Sequence, residues 1–238
     1  MGIRRESGLA ARSGKNHRVR IDGHSHTMWS GDATTTPDEL IAAVPGSGVD
    51  VLCITDHNAI DGALRLKDAL GIAVIVGEEV KTTAGELIGL FLTERVPFGL
   101  KPAEAVAAIR GQGGLVYVPH PFDALRHCMK EDALVGLARD GGLDVIETIN
   151  GKTSLQSCND RADAFADEWS LAKAGGSDAH VAAALGAAWV DVDDDADVTT
   201  AAGLLDALRR PTATVGGGFS DPPRAWTSRI VPSTKSVV

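Results

Sequence analysis

Short apolar runs recur along this chain, and one after another they end in histidine or carboxylate. The first is Ile21-Asp22-Gly23-His24-Ser25-His26-Thr27. Side chains two apart on a strand share a face, so His24 and His26 can converge on one metal ion. The run at 49–54 leads into Asp56-His57, the run at 72–76 into Glu78-Glu79, and the run at 115–118 into His120. The runs at 143–146 and 171–174 lead into Glu147 and into Ser177-Asp178-Ala179-His180. Five of the seven histidines fall in this set. Structural histidines would be spread through helices and loops, so the bias points to an imidazole and carboxylate metal site of a kind suited to zinc, iron or manganese. His17 and His127 stand outside it and are expected at the solvent surface.

Helical stretches separate the runs. Thr36-Pro37-Asp38-Glu39 carries an N-cap threonine, a proline at the first helical position and a glutamate placed to close a capping box. Further helices are predicted over 102–112, 130–139, 159–169 and 200–209, and a last strand at 188–190. Strands alternating with helices predict an α/β fold of parallel β-α units in a closed or nearly closed barrel. One exception is expected: the runs at 72–76 and 87–92 can pair as neighbours through the turn between them. In such barrels the C-terminal strand ends share one rim, which would gather these scattered residues.

At 238 residues the chain is long enough for one large domain with a full core. Its hydrophobic content is 44% with only 4% aromatic, so that core must come from Ala, Val, Leu and Ile. A formal charge of -9 excludes stable duplex nucleic-acid binding and an anionic-membrane surface, both of which need a basic face. Cys53, Cys128 and Cys158 are scattered without zinc-finger spacing and read as reduced thiols in the cytoplasm, Cys53 as packing. No run approaches the ~20 apolar residues of a membrane span. Residues 1–19 are basic and lack an apolar signal-peptide segment. They are expected to be a disordered leader, with the domain over 20–217 and a loose tail over 218–238.

Asp22-Gly23-His24-Ser25-His26-Thr27, Ile54-Thr55-Asp56-His57, Gly77-Glu78-Glu79-Val80, Val118-Pro119-His120-Pro121 and Gly176-Ser177-Asp178-Ala179-His180 together resemble the polymerase and histidinol phosphatase (PHP) family in order and spacing. The likeness runs from Arg20 to about Gly217. With Ser30-Gly31-Asp32, the Gly85 to Phe91 run and His120-Pro121-Phe122-Asp123, the chain is most similar to the small stand-alone branch. The resemblance implies a distorted seven-stranded β/α barrel, two or three divalent metals (Zn, Mn or Fe) and metal-dependent phosphoesterase activity. By it His24, His26, Glu79 and Asp178 hold one ion, and Glu79 bridges to a second held also by His120. Asp32, His57 and His180 hold a third. Asp32 can equally be an ordinary turn aspartate. Relatives often carry a histidine where Glu86 stands, so the number of metals stays open.

The chemistry implied is attack by a metal-bridging hydroxide on a small phosphate monoester or on a nucleotide or oligonucleotide phosphate. Glu79, His57 and His180 form the catalytic set, the two histidines as candidates for proton transfer. Arg126 is the candidate phosphate cation, with Lys152 and Arg161 behind it. Asn150 resembles a family position lining the pocket, and Ser177 joins the substrate-binding set. Asp56 reads either as a strand-end residue or as an orienter of a histidine. Two other functions fit the same residues: a metal-binding accessory domain without turnover, and a hydrolase of a non-phosphate substrate. Oligomeric state is left open.

Overall fold

The computed structural model describes residues 18–220. Among them, nine strands build one nearly closed, barrel-like mixed sheet: β1 (Arg18–Ser25), β2 (Val51–Ile54), β3 (Ala73–Thr82), β4 (Gly85–Leu90), β5 (Leu115–Val118), β6 (Val145–Asn150), β7 (Ala172–Gly176), β8 (Ala188–Asp193) and β9 (Thr214–Gly217). Their spatial order is β7-β6-β5-β4-β3-β2-β1-β8-β9. The helices are α1 (Pro37–Ser47), α2 (Asp61–Leu66), α3 (Pro102–Gly111), α4 (Glu131–Arg139), α5 (Gln156–Trp169) and α6 (Ala201–Arg209).

Local chemistry accounts for the elements. The expected capping box opens α1: the Thr36 hydroxyl accepts from the Glu39 amide at 3.3 Å, and Glu39 accepts from the Thr36 amide at 2.9 Å. Gly48 stops the helix at φ 72°, a left-handed conformation that costs glycine little. β1-β2-β3 and β5-β6-β7 are two parallel triplets, as the β-α alternation predicts. Between them β4 runs antiparallel to both β3 and β5. The connection from Thr82 to Gly85 is too short for a parallel crossover, so the hairpin reverses the chain. β8 is antiparallel to β1 and to β9.

Three expectations are corrected here. The sheet has nine strands where the resemblance implied seven: the apolar runs already include β8 at 188–190, which is antiparallel to β1 rather than parallel, and only the short, glycine-rich β9 carries no strand signature. β1 starts at Arg18, so the last two residues assigned to the leader are strand, paired with β8 from Arg18 opposite Asp193 onward. α2, lying just after His57, was not foreseen at all. The rest of the expected leader and residues 221–238 of the expected tail lie outside the described residues.

The barrel closes at the rim. The Asp178 amide donates to the His24 carbonyl at 2.7 Å, and the His26 amide donates to the Ala179 carbonyl at 3.0 Å. β7 passes so near its neighbours that a Cβ on Gly175 would lie 2.6 Å from the Trp189 carbonyl oxygen, and one on Gly176 would lie 2.4 Å from His24 Cβ. Aliphatic side chains fill the core as composition required, among them Val51, Ile75, Ile88, Val145 and Val190. Cys53 is fully buried in that cluster, and burial pushes its thiol up. Among the described residues no helix is long and apolar enough to cross a membrane.

Candidate metal centre

Five of the six strands in the parallel triplets deliver ligand candidates to the same rim, β6 being the exception. His24 stands on β1 and His26 just beyond it; His57 follows β2, Glu79 is on β3, His120 follows β5, and Asp178 and His180 follow β7. The Nε2 atoms of His24 and His26 are 2.9 Å apart. Glu79 Oε2 lies 3.4 Å from His24 Nε2, 3.3 Å from His26 Nε2 and 3.0 Å from His57 Nδ1, while its Oε1 lies 2.9 Å from His120 Nε2. Asp178 Oδ1 is 3.3 Å from both His26 Nε2 and His180 Nδ1. Asp32, mostly exposed, places Oδ2 3.2 Å from His180 Nε2 and 3.4 Å from His57 Nε2. All eight candidate ligands therefore meet. Glu86 joins them: its carboxylate is 3.8 Å from His120 Nε2 and 4.0 Å from His57 Nδ1. Burial, with the charge of Glu79 beside it, pushes Glu86 up to about 7.

The donor set fits divalent metal. Glu79 Oε2 and Asp178 Oδ1 are buried and have no hydrogen-bond partner, although both face ligand nitrogens. Buried acceptors are seldom left so, and a shared cation satisfies both at once. Four overlapping triads, His26-His57-His180, His24-Glu79-His120, His24-His26-Asp178 and His57-Glu79-Glu86, each bring one ligand atom per residue within 4.8 Å of the others.

Electrostatics sort the two leading histidines. Burial works against a charge on His24, yet Asp178, Glu147 and Glu79 hold it well above the ordinary histidine range. His26 is driven well below that range by burial and by His180 and His57. Asp178, despite burial, is held well below the usual carboxylate range by His24 and Arg126.

Residues that the sequence left without a firm role brace the ligands. Asp56 accepts from the Thr27 amide at 2.6 Å and from the Ser30 hydroxyl at 2.9 Å. The same Ser30 oxygen lies 2.8 Å from His26 Nδ1, so Asp56 orients His26 through Ser30 and leaves Nε2 facing the cluster. Of its two readings, the orienting one matches this geometry. Asp22 accepts from the amides of His24, Ser177 and Gly186 at 3.3, 2.9 and 3.0 Å, and burial raises it to about 6. Ser30 and Tyr117 were missed. The only available signal was a polar group beside or within an apolar run.

The substrate-side expectations divide. Arg126 reaches the centre: its guanidinium binds Asp178 Oδ2 and donates to the Lys152 carbonyl at 3.0 Å. Lys152 Nζ is 3.0 Å from His180 Nδ1. Asn150 and Ser177, by contrast, are fully buried beneath the ligands. Asn150 Nδ2 donates to Glu147 and Asp178 at 2.9 and 3.1 Å, and the Ser177 hydroxyl donates to the His24 carbonyl at 3.3 Å. Both side chains are engaged in these hydrogen bonds beneath the candidate ligands. Arg161 pairs with Glu131 and stacks 4.1 Å over Phe122, away from the centre. His127 is exposed, as expected. A cleft of about 860 Å³ between α5 and α6, lined by Asp163, Asp167, Lys173 and Arg210 among others, contains none of the ligand candidates.

Comparison with known proteins places this geometry. A family model described as the PHP domain matches residues 22–147, and one described as PHP-associated matches 156–212. An uncharacterized protein of Methanocaldococcus jannaschii is 36% identical over 136 residues, covering 52% of this chain and 79% of its own length. Among solved structures, a two-domain Bacteroides vulgatus protein containing a predicted PHP-like metal-dependent phosphoesterase aligns with a TM-score of 0.66 at 19% identity. The match covers 84% of this chain and 65% of that one. The lesion-specific endonuclease PfuEndoQ of Pyrococcus furiosus aligns with a TM-score of 0.56 at 15% identity, covering 84% of this chain and 58% of that one. Both solved proteins thus extend well beyond the shared barrel.

Proposed function

This chain belongs to the PHP domain family, and on that footing we propose that it is a metal-dependent hydrolase acting as a phosphoesterase. Its substrate is a small phosphate monoester or a nucleotide or oligonucleotide phosphate. The observation that carries the reading is the meeting of unpartnered buried carboxylate oxygens and five imidazoles beside two cations. His24, His26, Glu79 and Asp178 would hold one ion, Glu79 and His120 a second, and Asp32, His57 and His180 a third. Zinc, manganese or iron suits these donors. When bound, such ions lower the pKa of water and neutralise phosphoryl charge.

The chain's own groups do the rest. Arg126 and Lys152 stand where a phosphoryl oxygen would approach the ligands, and exchange of their contacts with Asp178 and His180 for the substrate anion would orient it. His57, 23% exposed and the most open of the candidate ligand histidines, would take or give a proton at the mouth whenever the third ion is not bound to it. With a net charge of -9, substrate capture falls to this local cationic pair rather than to the surface at large. Free cysteines fit a reducing, cytoplasmic setting.

The test is metal analysis of the purified protein joined to a phosphate-release screen over sugar phosphates, histidinol phosphate, nucleotides and short oligonucleotides. Bound metal with release from one class is expected. Bound metal with no release from any of them would overturn the phosphoesterase reading and favour an accessory domain or a non-phosphate substrate.

A further inference from the structure

Beneath the ligands, four donors meet on one carboxylate. Glu147 Oε1 lies 3.2 Å from His24 Nδ1 and 3.0 Å from the Tyr117 hydroxyl; Oε2 accepts from the His120 amide at 2.6 Å and from Asn150 Nδ2 at 2.9 Å. Glu147 and His24 are fully buried and Tyr117 nearly so. The Asn150 amide group that holds Glu147 also donates to Asp178 Oδ2 at 3.1 Å. Two of the residues held in this way have backbone conformations that side chains seldom adopt, His120 at φ 29° and Asp178 at φ 50°. Gly176 keeps the passage open, since a Cβ there would lie 2.4 Å from Glu147 Oε1.

We propose that Glu147 is the master positioning residue of the metal centre, fixing His24 by tautomer, His120 by its main chain and Asp178 through Asn150. The inference rests on the metal-centre reading above. With the Tyr117 hydroxyl, the His120 amide and Asn150 Nδ2 all donating to it, the Glu147 carboxyl group meets His24 as an acceptor, so the proton facing it sits on Nδ1 and Nε2 is the atom offered to the ion. The His120 amide bond holds that residue in the turn that aims its Nε2 at Glu79. Tyr117, the chain's single tyrosine, completes the shell by donating to the oxygen that His24 uses.

The experiment uses Glu147→Gln, equal in shape but with an amide that cannot accept four hydrogen bonds. In the metal-free full chain, brought to a pH alkaline enough that the His24 ring has lost its second proton, nitrogen-15 NMR of the histidine side chains should show His24 as the Nδ1–H tautomer in the wild type and moved toward Nε2–H in the variant. Titration with manganese chloride should then show apparent affinity weakened about 10- to 100-fold. An unchanged His24 tautomer overturns the proposal, even if affinity and melting temperature both fall, because that pattern is what a merely structural residue would give. Should Glu147→Gln not fold, Tyr117→Phe keeps the charge while removing one donor. The His24 Nδ1–H resonance should shift as its bond to Glu147 tightens, and an unmoved resonance overturns the proposal. Failure of the wild type to bind manganese, zinc or iron would count against the metal-centre reading instead, since the tautomer is read without metal.

Discussion

A histidine earns a ligand role here by having one ring nitrogen occupied and the other directed at the cluster. His24 is tied to Glu147 and His26 to Ser30 in this way. His24→Ala should therefore lower the metal content of the purified protein by at least one ion per chain and abolish phosphate release. His127→Ala, on the exposed side of its loop, should leave both near wild type. Elemental analysis of the two proteins side by side checks this, and equal losses would mean the rim is misassigned. Arg126 belongs to a different category, being a cation bound to a ligand carboxylate. A hydrogen bond to a charged group contributes about 1.5–3 kcal/mol. Arg126→Ala should accordingly raise KM for a phosphorylated substrate about 10- to 100-fold at full metal occupancy, as steady-state kinetics would show.

At the level of elements, the glycines of β7 decide how near that strand can pass to β1. Gly176→Ala forces a Cβ against both Glu147 and His24, an overpacking that costs about 1–3 kcal/mol. Gly136 in α4 meets nothing within 4 Å, and Gly136→Ala should instead stabilise by about 0.5–1 kcal/mol through helix propensity. Thermal melts of the two variants should move in opposite directions, by about 2–4 °C per kcal/mol. The same elements show what was legible in the sequence. Apolar runs ending in His, Asp or Glu identified most strands and picked out the candidate ligands that meet at the rim apart from Asp32, which only the family resemblance supplied, because both the period of a strand and the donor atoms of a ligand are written into residue type. Strand direction was only half legible: the β3–β4 turn betrayed its hairpin, whereas nothing in Ala188–Asp193 tells an antiparallel neighbour of β1 from a parallel one. α2 is a helix of only 6 residues with no side-chain cap, and Thr214–Gly217 owes its strand character to the partner beside it. For Asn150 and Ser177 a sequence gives the rim but not the depth below it, where both side chains lie buried.

For the whole molecule, the concentration of imidazoles and carboxylates ties metal binding to protons. His57 is raised to about 11: burial opposes its charge, but Glu79 and Asp32 prevail. His24 is raised in the same sense. A histidine raised in this way adds stability to the metal-free fold fully below about pH 6.5, and that contribution is lost as pH climbs toward about 11. Metal requires the neutral ring, so binding near pH 7 must expel protons, and affinity must rise with pH. Calorimetric titration in two buffers of different protonation enthalpy should report more than one proton released per ion and tighter binding at pH 8 than at pH 6. No release and a flat profile would remove these imidazoles from the ligand set. The seam at which β1 meets the end of β7 bears on biosynthesis as well. Asp22 and Ser177, 155 residues apart along the chain, are hydrogen-bonded there, and the neighbouring peptides carry His24, His26 and Asp178. A nascent chain that has not yet emerged beyond Gly176 lacks Asp178 and His180 and so holds only part of the cages proposed for the first and third ions, and cellular metal delivery meets the full centre only after nearly the entire domain has left the ribosome.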